Sequence, residues 1–175
     1  MDAPKRQFDV LGHLASLRRY ARSLVRNPVD AEDLVHDALV KAYERRQTFT
    51  AGGNLKTWLL SIVHNAHVDS HRARHARQRM NEQAALELPP PQPAGQEHSV
   101  RLGQVRAAFF NLPEDQREAL YMVAIEDLSY EEAAAALKIP IGTLMSRVSR
   151  ARARLRSFED AAAGAAKLRL IEGGK

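Results

Sequence analysis

The fold of this chain is decided by residues 129–156, which read SYEEAAAALKIPIGTLMSRVSRARARLR. Ser129 and Glu132 have the spacing of a capping box, in which each side chain satisfies an unpaired backbone N–H at a helix start. Pro140 cannot continue a helix but suits the first turn of a new one, so it places a turn just after Lys138. The stretch therefore predicts two short helices joined by a tight turn.

The second of these helices has two contrasting faces. Its apolar residues recur at three- and four-residue steps and form one stripe, made of Ile141, Leu144, Val148, Ala151 and Leu155. The opposite side carries Gly142, Thr143, Ser146, Ser149 and Arg150, with Arg147 and Arg154 at its edges. Residues 133–158 include six basic residues and no acidic one. This pattern is typical of a helix-turn-helix that enters a DNA major groove, the alternative being a solvated basic face in an ordinary helix bundle.

The composition limits the class of protein. The 175 residues have a net charge of +5, which suits a polyanionic partner. There is no cysteine, which excludes disulfides and thiolate metal sites and fits a reducing cytoplasm. The first residues lack the apolar core of a secretory signal, and no apolar run reaches membrane-spanning length. We therefore expect a soluble cytoplasmic protein without membrane insertion.

The N-terminal half predicts three more helices. The first has an apolar face and ends at Asn27-Pro28; the face consists of Leu11, Leu14, Leu17, Ala21, Leu24 and Val25. Asp30 is the expected cap of the second, which runs to about Arg46 with Leu34, Val35, Ala38, Ala42 and Tyr43 inward. Residues 29–44 include five acidic residues and one basic residue, so this helix forms an acidic patch on a basic protein. Asn54 is expected to cap the third helix, which continues to Arg79.

A proline-rich segment divides the chain. Residues 80–99 contain Pro89, Pro90, Pro91 and Pro93 and predict an extended linker, which at about 3.1 Å per residue reaches roughly 60 Å. The two halves therefore need not pack together. We expect an all-α fold with a first domain at 8–79, the linker at 80–99, a second domain at 100–158 and a tail at 159–175. The alanine-rich tail is either helical or frayed.

Three segments, in order, resemble a bacterial extracytoplasmic-function (ECF) sigma factor. They are NPVDAEDLVHDALVKAYE at 27–44, GGNLKTWLLSIVHNAHVDSHR at 52–72, and LPEDQREAL with the helix-turn-helix at 112–156. The resemblance covers roughly 11–156 and implies two helical domains, sigma regions two and four. It also implies an alternative sigma factor that directs core RNA polymerase, through its β′ and β subunits, to specific promoters and has no enzymatic activity.

The resemblance assigns roles to residues of both domains. Asp33, Leu34 and Asp37 match the helix that docks on a β′ coiled coil; acids would steer the encounter and leucine would supply burial, the alternative being a solvated acidic face. The residues that match the minus-ten loop and the strand-opening surface are Phe49, Asn54, Lys56, Trp58 and Asn65. Trp58 also falls on the apolar stripe, so its first role is expected to be in the core. The expected contacts to the minus-thirty-five element are Lys138, Thr143, Ser146, Arg147 and Arg150.

The minus-ten loop indicates a branch of the family. The form GGNLK at 52–56 is similar to that of the EcfG-type sigma factors of the alphaproteobacterial general stress response. This similarity implies a small NepR-like anti-sigma factor as antagonist, released through a PhyR-type mimic. A membrane-anchored anti-sigma factor is the alternative partner.

Other classes of function fit less of the sequence. His64, His67, His71 and His75 form a ladder that could bind zinc or sense pH, but no acidic residue can be placed beside it, so we interpret it as a solvated face and expect no metal or cofactor. No phosphate loop, nucleophile elbow or HExxH motif indicates an enzyme. A plain dimeric helix-turn-helix regulator leaves the acidic helix and the linker unexplained. A sigma-like decoy that sequesters an anti-sigma protein would not need the basic reading helix.

Overall fold

The computed structural model describes residues 8–50, 52–80 and 97–172, and within these ranges it is all-α, as predicted. The helices are α1 (Leu14–Leu24), α2 (Pro28–Glu44), α3 (Leu55–Met80), α4 (Glu97–Phe110), α5 (Glu114–Ala124), α6 (Tyr130–Leu137) and α7 (Ile141–Glu172). Short 3-10 turns at Leu11–His13 and Arg46–Thr48 precede α1 and follow α2.

Helices α1, α2 and α3 pack on one another and form an N-terminal lobe. The apolar positions of each helix face the shared core, where Leu17, Val35 and Leu60 are buried. Asn27, rather than the expected Asp30, caps α2: its side chain accepts a hydrogen bond from the Val29 N–H at 2.9 Å. Pro28 occupies the first turn, where its missing N–H costs nothing, so the proline starts this helix instead of merely ending the previous one.

Three residues expected to point inward are exposed. Leu11 lies in the 3-10 turn before α1 and is 81% exposed. Tyr43 is 66% exposed, and its ring lies beside the Arg46 guanidinium, whose carbon is 4.5 Å from the ring centroid. Ile141 is the first residue of α7 and is 42% exposed, because the stripe is covered only from Leu144 onward.

Helices α4 to α7 form a C-terminal lobe in which α7 packs against the three others. Its core includes Ala119, Met122, Leu137, Leu144 and Val148, all of them buried. Helix α4 begins at Glu97, three residues before the expected start of the second domain, and α7 continues to Glu172, so the segment left open as helix or frayed tail is helical to that residue. The central part of the expected linker, 81–96, lies outside the described residues.

The two lobes pack together along an interlobe interface, at which α1 and α3 meet α5, the α5–α6 loop and α6. One apolar core runs through both lobes, and the rings of Tyr20 and Tyr121 meet across the interface with centroids 5.4 Å apart. The proline-rich segment therefore joins lobes that are in contact; we refer to this as the closed arrangement. Among the described helices, none combines the length and the apolar character needed to cross a lipid bilayer.

Candidate nucleic-acid interface

The helix-turn-helix is formed by α6, a tight turn and α7. The capping box is present: the Ser129 hydroxyl accepts from the Glu132 N–H at 3.1 Å, and the Glu132 carboxylate accepts from the Ser129 N–H at 3.0 Å. Lys138 ends α6 in the left-handed region with φ of 54°, a conformation that turns the chain sharply toward α7. The side chain of Lys138 is exposed at this turn.

Helix α7 presents a basic face to solvent. Leu144, Val148 and Ala151 are buried against the lobe, so the opposite side is free. Within 141–159, where exposure is described, the exposed basic residues of this helix are Arg150, Arg152, Arg154 and Arg156. Guanidinium groups on an accessible helix can contact phosphates and the edges of guanine.

Thr143, Ser146 and Arg147 lie at the edge of this basic face and are half-buried. The Ser146 hydroxyl donates to the Thr143 carbonyl at 2.9 Å, which leaves its oxygen lone pairs available as acceptors. Arg147 is not fully free, because its Nε lies 3.3 Å from an Asp115 carboxylate oxygen at the start of α5. This ion pair holds the guanidinium at the rim of the face.

Three of the five expected minus-ten residues line a cavity of about 410 Å³ at the edge of the interlobe interface, whereas Lys56 and Asn65 lie outside it. Phe49, Asn54 and Trp58 line one side, and α6 residues Glu132 and Ala135 line the other. Trp58 is half-buried, and its ring packs on Phe49 with centroids 5.5 Å apart. The ring of Phe8 completes this aromatic cluster, with its centroid 5.8 Å from that of Trp58, and no sequence pattern predicts this contact. The core role expected for Trp58 agrees with this packing.

Two of these residues are bound to the C-terminal lobe. The Asn54 amide donates to a Glu132 carboxylate oxygen at 2.8 Å while its own oxygen caps α3 by accepting from the Thr57 N–H at 3.2 Å. Lys56 Nζ donates to the Glu126 carbonyl at 2.7 Å and lies 2.8 Å from the Glu126 carboxylate. In the closed arrangement these groups are therefore occupied. Asn65, further along α3, is half-buried and donates to the Ser61 carbonyl at 2.6 Å.

The acidic helix α2 presents Asp33 and Asp37 to solvent, whereas Leu34 is only 7% exposed and belongs to the core of its lobe. Val29 and Val40 share this side of the helix and are 67% and 46% exposed. Four- and three-residue steps place Asp33, Asp37 and Val40 on one face. The solvent-facing patch of α2 thus combines carboxylates with exposed valines, and Leu34 supports it from beneath.

The sequence matches known families over most of its length. The sequence profile of sigma-70 region 2 matches residues 10–77, and that of sigma-70 region 4 matches residues 102–155. The chain is 38% identical over 147 residues to the ECF RNA polymerase sigma factor EcfG of Rhodopseudomonas palustris, an alignment that covers 84% of this chain and 81% of the relative. The chain is an ECF sigma factor of the EcfG type.

Similar solved structures support this assignment. The sigma factor RpoE of Bartonella quintana, solved in complex with the anti-sigma factor NepR, aligns with a TM-score of 0.77 and 37% identity over 89% of this chain and 97% of that one. CnrH, solved in complex with the cytosolic domain of CnrY, aligns with a TM-score of 0.64 and 27% identity over 91% of each chain. Both alignments extend over both lobes.

Glu126 contacts both lobes at the interlobe interface of this ECF sigma factor, and no sequence pattern singles it out. It lies in the α5–α6 loop, is 2% exposed, and receives hydrogen bonds from the hydroxyls of Ser16 and Tyr121. Burial alone would raise the pKa of Glu126, but the hydrogen bonds from Lys56 and Ser16 and the charge of Lys56 outweigh burial, so the pKa is lower than usual. Its carboxylate is therefore ionised at neutral pH.

Arg117 makes a second connection between the lobes of the sigma factor. Its guanidinium is nearly buried and donates to the Ser23 carbonyl at 2.8 Å and the Leu24 carbonyl at 3.4 Å, at the C-terminal end of α1. It also donates to the Leu112 carbonyl at 3.1 Å in its own lobe. A cation at this end of a helix complements the dipole and satisfies carbonyls that have no partner within the helix. The resemblance segment contains this arginine, but no spacing rule indicates its backbone partners.

The histidine ladder of α3 does not form one solvated face. His71 and His75 are exposed as expected, but His67 is 5% exposed and His64 is half-buried. The expectation failed for these two residues because Glu114 and Glu118 of α5, in the other lobe, lie opposite them. A partner helix from the other lobe is invisible to the periodicity of α3 itself.

Proposed function

We propose that this chain binds core RNA polymerase, through its β′ and β subunits, and directs promoter-specific initiation of transcription in the cytoplasm, without catalysis of its own. The observation that carries the proposal is the accessible basic face of α7 in a chain that matches both sigma-70 regions. We assign the polymerase-binding and minus-ten functions to 8–79, the connection to 80–99, the minus-thirty-five function to 100–158, and no function to the tail 159–175.

Polymerase docking is assigned to the exposed face of α2. Asp33 and Asp37 supply the charge that steers and orients the encounter, and Val29 and Val40 supply apolar area beside them. Leu34 acts by holding this face in place, since it is buried in the core. This face is exposed in the closed arrangement, which supports a docking step in which core polymerase binds α2 before the lobes separate.

Recognition of the minus-thirty-five element is assigned to α7 and the turn before it. Arg150 is exposed and suited to a bidentate contact with guanine, while Thr143 and Ser146 can bond bases or phosphates. Lys138 is placed to contact a phosphate at the turn. Arg147 can contribute once DNA competes with Asp115 for its guanidinium.

Minus-ten recognition is assigned to the aromatic cavity and the start of α3. An extruded base needs a stacking surface to offset the few kcal/mol that unstacking costs, and the rings of Phe49 and Trp58 offer one. Asn54 and Lys56 would contact the DNA strand, and Asn65 lies further along the same helix. Since Asn54 and Lys56 are bound to the C-terminal lobe, this step requires the lobes to separate.

We further propose that a small NepR-like anti-sigma factor holds this chain inactive and that a PhyR-type mimic releases it to transcribe a stress regulon. Support comes from the likeness to the RpoE–NepR complex, whose sigma factor aligns over both lobes. Binding of such a protein to the closed arrangement would keep the minus-ten residues occupied.

The experiment is transcription in vitro with core polymerase and a genomic promoter library, with and without the full chain. We expect defined transcripts that a cognate NepR-like protein suppresses. Failure to bind core polymerase together with absence of transcripts would refute the proposal. Binding of the NepR-like protein without any transcript would instead favour the decoy.

A further inference from the structure

Two histidines of α3 face two glutamates of α5 across the interlobe interface. His67 Nε2 lies 2.5 Å from a Glu114 carboxylate oxygen, and His64 Nδ1 lies 3.4 Å from a Glu118 carboxylate oxygen. One ligand atom from each of His67, Glu114 and Glu118 lies within 4.8 Å of the other two. The interface thus supplies the acidic partners that the histidine ladder lacked when only the sequence was considered.

The cluster is buried except at Glu114, and one fixed positive charge, that of Arg117, acts on both of its carboxylates. The side chains of His67 and Glu118 are 6% and 7% exposed. Among the described residues no lysine or arginine forms an ion pair with either carboxylate; Arg117 is near, but its guanidinium donates to backbone carbonyls. His64 Nδ1 is buried and has no hydrogen-bond partner among the described residues. A buried carboxylate beside a nitrogen without a partner favours a bound cation.

We propose that His67, Glu114 and Glu118, with His64 beside them, bind one Zn²⁺ ion at the interlobe interface. Imidazole nitrogen and carboxylate oxygen are both common zinc ligands, at about 2.0–2.2 Å from the metal. Tetrahedral coordination then separates ligand atoms by roughly 3.3–3.6 Å. All the ligand atoms lie within 4.8 Å of one another, and His67 Nε2 and the Glu114 oxygen, 2.5 Å apart, would have to move apart to admit the ion. Glu114, whose side chain is 45% exposed, leaves an open side for entry of the ion.

The ion would join α3 of one lobe to α5 of the other. A ligand whose donors come together only in the closed arrangement stabilises that arrangement by mass action. The coupling is reciprocal, so a partner that opens the lobes weakens zinc binding by the same factor. Zinc would therefore oppose exposure of Asn54 and Lys56, which are occupied at the same interface.

The test uses the untagged full chain, stripped with a chelator and titrated with Zn²⁺ by calorimetry and by competition with a chromogenic chelator. We expect one equivalent to bind with a dissociation constant in the micromolar range or tighter, and Co²⁺ to give the visible bands of a tetrahedral site. His67→Gln and Glu118→Gln should each weaken binding at least tenfold. His36→Gln, which changes an exposed histidine on α2, is the matched control and should bind as the parent does.

Circular dichroism and thermal unfolding without metal show whether each variant is folded. Zn²⁺ should raise the unfolding temperature of the parent chain and of His36→Gln, but not that of Glu118→Gln. The proposal is overturned if the parent chain binds no Zn²⁺ saturably, or if His67→Gln and Glu118→Gln bind it unchanged. Should one variant fail to fold, the other variant and the Co²⁺ spectrum of the parent chain decide.

Discussion

Replacement of Glu126 by glutamine tests the closed arrangement most directly. Glu126 is 2% exposed, and its carboxylate lies 2.8 Å from Lys56 Nζ and 3.7 Å from an Arg19 nitrogen. Glutamine keeps the shape of the side chain and can still bond the hydroxyls of Ser16 and Tyr121. The variant therefore removes the charge while leaving most of the packing in place.

The expected magnitude follows from what the charge contacts. A hydrogen bond to a charged group contributes about 1.5–3 kcal/mol, and breaking one partner of a buried pair costs about 3–5 kcal/mol. The Lys56 side chain is 28% exposed, so its ammonium group can regain some hydration in the variant. The Arg19 side chain is 58% exposed, so its ion pair with Glu126 contributes little to the stability of the closed arrangement. We expect Glu126→Gln to destabilise the closed arrangement by roughly 2–3 kcal/mol, which is about a 30- to 150-fold change in equilibrium.

Two measurements separate global unfolding from opening of the lobes. Thermal unfolding at neutral pH should shift downward by about 4–12 °C, given about 2–4 °C per kcal/mol for a chain of this size. The chain has no cysteine, so one cysteine introduced at an exposed position of each lobe can be labelled with a donor or an acceptor dye. Energy transfer between the two dyes should be lower in Glu126→Gln than in the parent chain, because the lobes separate more often. Glu159→Gln, which changes an exposed glutamate on α7, is the matched control for removal of one charge.

The pH dependence provides an internal check on the same residue. The pKa of Glu126 is lower in the folded chain than the ordinary value of 4.5, so its contribution is present above that value and is lost as the pH falls through the folded pKa. The difference in stability between the parent chain and Glu126→Gln should therefore shrink below about pH 4.5. Equal unfolding temperatures and equal energy transfer at neutral pH would refute the reasoning.

The remaining predictions concern the two exposed surfaces and the helix-turn-helix. Arg150→Ala should weaken promoter binding by the polymerase holoenzyme by about 1–3 kcal/mol and relax preference at one base of the upstream element, as measured with a set of single-base promoter variants. Asp33→Lys and Asp37→Lys should slow association with core polymerase, and the effect should shrink as the salt concentration rises, as measured by interferometry. Association rates equal to those of the parent chain would mean that these carboxylates are only a solvated surface. Ser129→Ala should lower the free energy of unfolding by about 1 kcal/mol through loss of the capping box, measured by urea titration, and Ser129→Asp should restore most of it.

Local signals in the sequence were sufficient for the helix-turn-helix. The capping box at Ser129 and the proline at 140 act over a few residues, and both appear in the structure at the expected places. The choice of Asp30 instead of Asn27 as a cap shows the limit of such signals, since both residue types favour that position. Proline at the next position was the sign that distinguished them.

Contacts between the lobes could not be predicted in the same way. The partners of Glu126 on α1 and α3 are 110 and 70 residues away in the sequence, and no periodicity relates positions so distant. The same reason explains the misassignment of His64 and His67, whose surroundings are set by a helix of the other lobe. The proline-rich segment is long enough to let the lobes separate. Whether the lobes pack together depends instead on the side chains at the interlobe interface, which the composition of the segment does not reveal.

The closed arrangement and the proposed promoter complex compete for the same side chains. Asn54 and Lys56 cannot contact DNA while they bond Glu132 and Glu126, so the free energy of lobe closure is subtracted from any minus-ten contact. If closure is favoured by about 2–3 kcal/mol, the open form is roughly one part in 30 to 150 and apparent promoter affinity falls by that factor. A partner must therefore bind the open form more tightly by at least as much. The acidic face of α2 is exposed in the closed form. In the function proposed above, core polymerase would dock there first and then supply the binding energy that separates the lobes.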